Sequence, residues 1–196
     1  MSPRQPKKAA AVTKASDSAA ALRRTLAKRK KEELVDLLLE LAEADRGVLR
    51  QITARFDVAA SSKELVAATR QAIADATYFD KRDINRNFAY DYAAYEEVKR
   101  NLSRLVDSRQ LPLAMQLSLE LMQAGSYQVE MSDEGLMAED LEECLSAVIA
   151  GLETCDLPAA DVVAWCTAMQ AADRVGFIAE KPLQSLRRRF SANAAK

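Results

Sequence analysis

Lys28-Arg29-Lys30-Lys31, with Arg23 and Arg24 just ahead of it, is the densest cluster of positive charge in the chain. Cations at this spacing can neutralise successive phosphates, which gives sequence-independent, salt-sensitive contact with nucleic acid or another polyanion. They can equally form a solvated helix face attracted to the chain's own acidic residues. Arg187-Arg188-Arg189 is a second run, and there the simpler role is to complement the dipole at the end of a helix.

Aromatic side chains form the next candidate. Tyr78, Phe79, Phe88, Tyr90, Tyr92 and Tyr95 place six of the eleven aromatics in 18 residues, with Lys81, Arg82 and Arg86 between them. Aromatics can stack on unpaired bases while arginine holds phosphate. Tyr and Arg are also enriched at protein-binding hot spots. A connection between helices pinned by its own rings would have the same composition, and Tyr92 and Tyr95 have the spacing of a helix core.

Carboxylates give a third pattern. Ser132-Asp133-Glu134-Gly135 sets short acidic groups beside a glycine, a combination that suits a hard cation, but the rest of a calcium loop is missing. An acidic helix start accounts for it without a ligand, so no metal site is expected. Glu139, Asp140, Glu142 and Glu143 then give one helix a strongly acidic side, either solvated or a docking surface for a basic partner.

The chain has no histidine, which removes Ser–His and Cys–His catalysis and every histidine-containing metal site. No glycine-rich phosphate loop and no nucleophile beside a base is visible. No catalytic residue and no cofactor is therefore expected. The three cysteines, Cys144, Cys155 and Cys166, are odd in number and form no C-x-x-C, so they read as free thiols in a reducing cytoplasm.

The elements that must position these groups read as helices throughout. Only five Gly and five Pro interrupt 196 residues, and no segment alternates with period two. Residues 1–16 read as a disordered basic arm, and a short helix from Asp17 carries Leu22 and Leu26. Residues 31–44 form a strong helix, with Leu34, Leu38 and Leu41 as a core stripe facing a second helix at 46–56 capped by Asp45. Ser61 and Glu64 have capping-box spacing for a third helix, ending near Thr77. Residues 78–90 are a connection, and a fourth helix runs from about Asp91 on Tyr92, Tyr95, Val98, Leu102 and Leu105.

Pro112 opens a fifth helix on Leu113, Leu117 and Leu121, read as ending at Gly125. The sixth, about 136–154, carries Met137, Leu141, Cys144, Leu145, Val148 and Leu152. Pro158 opens a seventh with Val162, Trp165, Cys166 and Met169, and Gly176 ends that segment. Pro182 starts a short final helix on Leu183, Leu186 and Phe190. The expected fold is all-α, antiparallel helix pairs stacked in a helical-repeat-like bundle. The expected organisation is one helical domain over 17–190, between the arm and a flexible tail at 191–196.

Several of these stretches resemble a family of bacterial helical domains of unknown function that occur alone or downstream of SWIM-type zinc fingers. The matching stretches are Glu32–Asp45 with Val48-Leu49-Arg50, the Tyr/Phe-rich entry to the fourth helix, Ser132–Gly135 before a long helix, and Ala164–Phe177. The resemblance covers about 31–180. The finger itself has no counterpart in a chain without histidine. The resemblance implies a fold and an adaptor-like role rather than a reaction.

The charge distribution agrees with an interaction protein. Residues 1–31 carry +9, residues 32–180 carry −15 and residues 181–196 carry +5, so the total of −1 conceals a basic arm, an acidic body and a basic tip. No apolar run is long enough to span a bilayer, so no membrane partner is expected. The chain reads as a non-enzymatic adaptor or scaffold that binds another protein through its helical body. The alternative is an accessory nucleic-acid-binding protein using the basic arm and the aromatic, basic connection at 78–95.

Overall fold

The computed structural model describes residues 21–56, 61–84, 88–135 and 137–194. The 1–16 arm and Arg86 lie outside these residues. Among the described residues the protein is all-α, with no β-sheet. The chain divides into two compact units, Met1–Val58 and Ala59–Lys196.

In the first unit, residues 21–26 are helical and lead through a turn into α1 (Lys31–Ala44), which packs on α2 (Arg46–Phe56). Asp45 links them as expected. Its Oδ1 accepts from the backbone N–H of Gly47 at 2.7 Å and of Val48 at 3.4 Å, satisfying donors at the start of α2. The expected core stripe is not a core. Leu38 is 40% exposed and Leu41 45%, and Ala42 is the one buried residue on α1. The density of leucine in this segment reports how apolar α1 is, whereas its burial depends on a covering partner that α2 supplies on one side only.

The second unit is a bundle of six helices among the described residues: α3 (Ser62–Ala76), α4 (Tyr92–Asp107), α5 (Leu111–Met131), α6 (Ala138–Glu153), α7 (Ala159–Ala172) and α8 (Glu180–Ala194). The core stripes read from the sequence are found here. Leu65, Thr69, Ile73, Tyr95, Val98, Leu102 and Leu105 are buried on α3 and α4. So are all six residues of the α6 stripe, the four of α7, and Leu183, Leu186 and Phe190 of α8. The exceptions are Tyr92, 55% exposed in the first turn of α4, and Leu113, half-buried near the start of α5. The capping box at Ser61 and Glu64 forms, each side chain bonding the other's backbone N–H.

Two helix limits differ from expectation for reasons that lie in tertiary structure. α5 does not stop at Gly125 but continues to Met131. A Cβ at Gly125 would stand 2.9 Å from Leu141 Cδ2, so this glycine lets α5 approach α6. α8 is not a short helix begun by Pro182; it starts at Glu180 and runs 15 residues, with the proline in its first turn, where a missing N–H costs nothing. It also continues past residue 190 to Ala194.

α5 packs against α3, α4, α6 and α7, α4 and α8 each pack against α6, and α7 packs against α8. Among the described residues every buried side-chain nitrogen and oxygen has a hydrogen-bond partner. Gln128 of α5, fully buried, accepts from the Tyr95 hydroxyl at 2.7 Å and donates to the carbonyls of Ala76 at 3.0 Å and Tyr78 at 3.3 Å. Trp165 donates its indole N–H to the Met115 carbonyl at 2.9 Å, joining α7 to α5. Cys144 and Cys166 are buried free thiols whose pKa values burial pushes up to about 12 and about 11.

Candidate functional site

The acidic side of α6 forms one wall of a cleft. Glu139, Glu142, Glu143, Ser146, Ala150 and Glu153 recur at helical spacing along it, above the buried Ile149. Phe177, Ala179, Glu180, Lys181 and Pro182 form the opposite wall at the entry to α8. The cleft has a volume of about 920 Å³ and faces five carboxylates against one ammonium.

The second wall is positioned by hydrogen bonds. Asp173, at the end of α7, accepts from the N–H of Val175 at 3.0 Å through one oxygen and from that of Ile178 at 2.9 Å through the other. This pins the turn that carries Phe177, which stands 53% exposed at the rim. Glu142 accepts from the N–H of Ala179 at 2.8 Å and so ties the α6 wall to the α8 wall. Its carboxylate sits at the N-terminus of α8, where the helix dipole favours negative charge. Ala179 itself has φ +50°, a conformation unusual for a residue with a Cβ, and it is held by this bond and by burial. Glu143 pairs with Lys99 of α4 at 2.7 Å. Glu139, Glu153 and Glu180 complete the negative lining.

The aromatic residues of the 77–91 connection are brought together, but against one another. Phe79 stacks on Phe88 with centroids 4.9 Å apart and planes 12° from parallel. Tyr127 of α5 tilts against Phe79 at 5.7 Å, and the Arg174 guanidinium lies 4.9 Å from the Tyr127 ring centre. Tyr90 meets Tyr95 edge-on, and its hydroxyl donates to Asp140 at 2.6 Å. Tyr78 is the exposed ring, at 71%. Lys81 and Arg82 are exposed on a 3-10 turn, Lys81–Asp83, where Arg82 is paired with Asp80. Gln128, Tyr127 and Arg174 were not expected in this cluster, since each lies more than thirty residues further along the chain.

The basic residues Arg23, Arg24, Lys28, Arg29, Lys30 and Lys31 are all exposed in the first unit. Arg23 and Arg24 stand on the helical segment 21–26, and Lys31 is the first residue of α1. The Ser132–Gly135 segment is a turn: Gly135 has φ +59°, and its N–H donates to Ser132 Oγ at 3.2 Å. Among the described residues no group of three or more His, Cys, Asp or Glu could hold a metal ion, and no helix is long and apolar enough to cross a membrane.

The Tyr90–Asp140 bond sets a pH dependence. Through this bond, and then through burial, the Tyr90 phenol is raised from 10.0 to about 12. The folded state therefore keeps this proton after the unfolded chain has lost it. The stabilisation is complete below pH 10 and is lost as pH climbs towards 12. Urea midpoints measured across this window are expected to fall less steeply in Tyr90→Phe than in the native chain. Parallel slopes would show that Tyr90 shares no proton with Asp140.

No family model matches this chain, and no curated protein and no solved structure matches it.

Proposed function

We propose that the protein is a non-enzymatic adaptor or scaffold that binds a basic segment of another protein in the α6–α8 cleft. The observation that carries this reading is the pairing of a carboxylate-lined wall with an exposed aromatic ring, both held by a packed all-α body. Carboxylates at a rim draw in a cationic partner and set its salt dependence, while a fixed aromatic supplies the apolar anchor that gives a complex its lifetime. An Arg/Lys-rich helix or strand with one apolar residue against Phe177 suits this lining. The adaptor role is also what the resemblance to the SWIM-associated helical domains implies.

The nucleic-acid alternative draws on the exposed Arg23–Lys31 cluster. It has less support from the aromatic connection, whose rings are engaged with one another and with Arg174.

Affinity capture from the native host, with and without nuclease, separates the two. The expected result is a protein that survives nuclease. It is lost when Glu139, Glu143 and Glu153 are changed to Lys, and it is weakened about tenfold or more by Phe177→Ala. Glu142 is left intact because it holds Ala179. Capture that ends with nuclease and ignores the cleft variants would overturn the reading in favour of nucleic acid.

A further inference from the structure

Glu143 belongs to two surfaces at once. It lines the α6–α8 cleft, and its carboxylate also meets the Lys99 ammonium of α4 at 2.7 Å. Among the described residues it is the one lining carboxylate in an ion pair. Glu142 beside it is committed to the Ala179 N–H, and Glu180 accepts from the Gln184 amide on its own helix at 2.8 Å. Lys99 has a second carboxylate within reach. Glu96, one turn earlier on α4, lies 3.8 Å from the same ammonium, and neither Glu96 nor Lys99 lines the cleft.

The pair can open readily. The Lys99 side chain is 39% exposed and that of Glu143 57%, and an exposed pair of this kind favours its closed form by no more than about fivefold. A cation entering the cleft therefore competes with Lys99 for Glu143. On losing Glu143 the ammonium is not stranded, because Glu96 stands three residues away on the same helix, a spacing at which opposite charges attract.

On the reading that the cleft takes a basic segment, we propose that Lys99 is a built-in counter-ion that limits its affinity. It occupies Glu143 in the free protein and passes to Glu96 when a partner's cation arrives. Lys99 is thus the repulsive element that keeps weakly basic segments out of the cleft.

Fluorescence anisotropy at low salt, with a labelled peptide of six lysines about one phenylalanine, tests this. Lys99→Gln is expected to bind the peptide about threefold or more tighter than the native chain. Lys99→Arg keeps the charge and should stay near native. Lys63→Gln removes the same charge from the first turn of α3 and should change affinity less than Lys99→Gln. In a Glu143→Gln background the gain from Lys99→Gln should fall to the level of Lys63→Gln, because no paired carboxylate remains to be released. Should Lys99→Gln fail to fold, Glu96→Gln decides. It withdraws the ammonium's second partner, so it should weaken the peptide about twofold more than Asp107→Asn, an equal loss of charge at the end of α4. Lys99→Gln binding no tighter than Lys63→Gln would overturn the proposal, as would a gain that persists in Glu143→Gln. Peptide binding that Glu139→Lys and Phe177→Ala still weaken would then leave the cleft itself standing as the basic-segment site. A peptide that binds no protein at low salt, or that ignores both of those changes, would overturn the cleft reading and the role of Lys99 together.

Discussion

Trp165→Ala is expected to remove about 3–5 kcal/mol from the second unit, the range for deleting a large buried ring that its surroundings cannot refill. Trp165 is 6% exposed, and its neighbours on α7, Val162, Cys166 and Met169, are fully buried. The lost hydrogen bond is the smaller part. Met115 lies inside α5, so its carbonyl keeps the intrahelical bond when the indole is gone. Trp165→Phe should accordingly cost only about 1–2 kcal/mol, from one hydrogen bond and a smaller void. Trp165 is the only tryptophan in the chain, so its fluorescence reports unfolding of this unit in the native protein. The variants are then followed by circular dichroism in urea. An alanine variant within about 0.5 kcal/mol of the native chain would mean that α7 does not pack on α5 through this ring.

The reading of the second unit from sequence succeeded where a signal is both local and periodic. The stripes Met137–Leu152 and Val162–Met169 repeat at helical spacing and have a neighbour on that side, so apolar spacing and burial coincide. Caps were legible for the same reason. Ser61 and Asp45 bond donors two or three residues away, and no distant residue is needed to recognise them. Gly125 failed because its local signal is a helix stop while its actual partner, Leu141, is sixteen residues on. α1 failed in the opposite direction. Its pattern is as strong as any in the chain, but a pattern cannot say whether a second surface exists to cover it.

The candidate site was half legible for a related reason. Glu139, Glu142 and Glu143 stand together on one helix and are visible as an acidic side. Phe177 and the entry to α8 become the opposite wall only because α8 packs on α6 and Asp173 fixes the intervening turn. The aromatic connection likewise showed its local rings. It did not show Tyr127, Arg174 or Gln128, which determine that those rings pack inward.

Gln128→Leu is expected to cost roughly 2–4 kcal/mol, although leucine is similar in size and more apolar. The amide is fully buried, so water cannot replace its three bonds. Leucine would leave the Tyr95 hydroxyl without its acceptor in a site that is 1% exposed. It would also strand the Ala76 carbonyl, which lies in the last turn of α3 and has no intrahelical partner. Tyr95→Phe alone removes one donor and leaves the Gln128 oxygen unsatisfied. The double variant Tyr95→Phe/Gln128→Leu takes away both members of that bond. It should therefore lose less than the two single changes together, by about 0.5–3 kcal/mol. Urea denaturation of the four proteins followed by circular dichroism measures this coupling. The stranded carbonyls of Ala76 and Tyr78 are common to both Gln128 variants and cancel in the cycle. Strict additivity would show that the 2.7 Å contact contributes nothing to stability, and the start of the aromatic connection would then be held by the amide's bonds to Ala76 and Tyr78 and by ring packing.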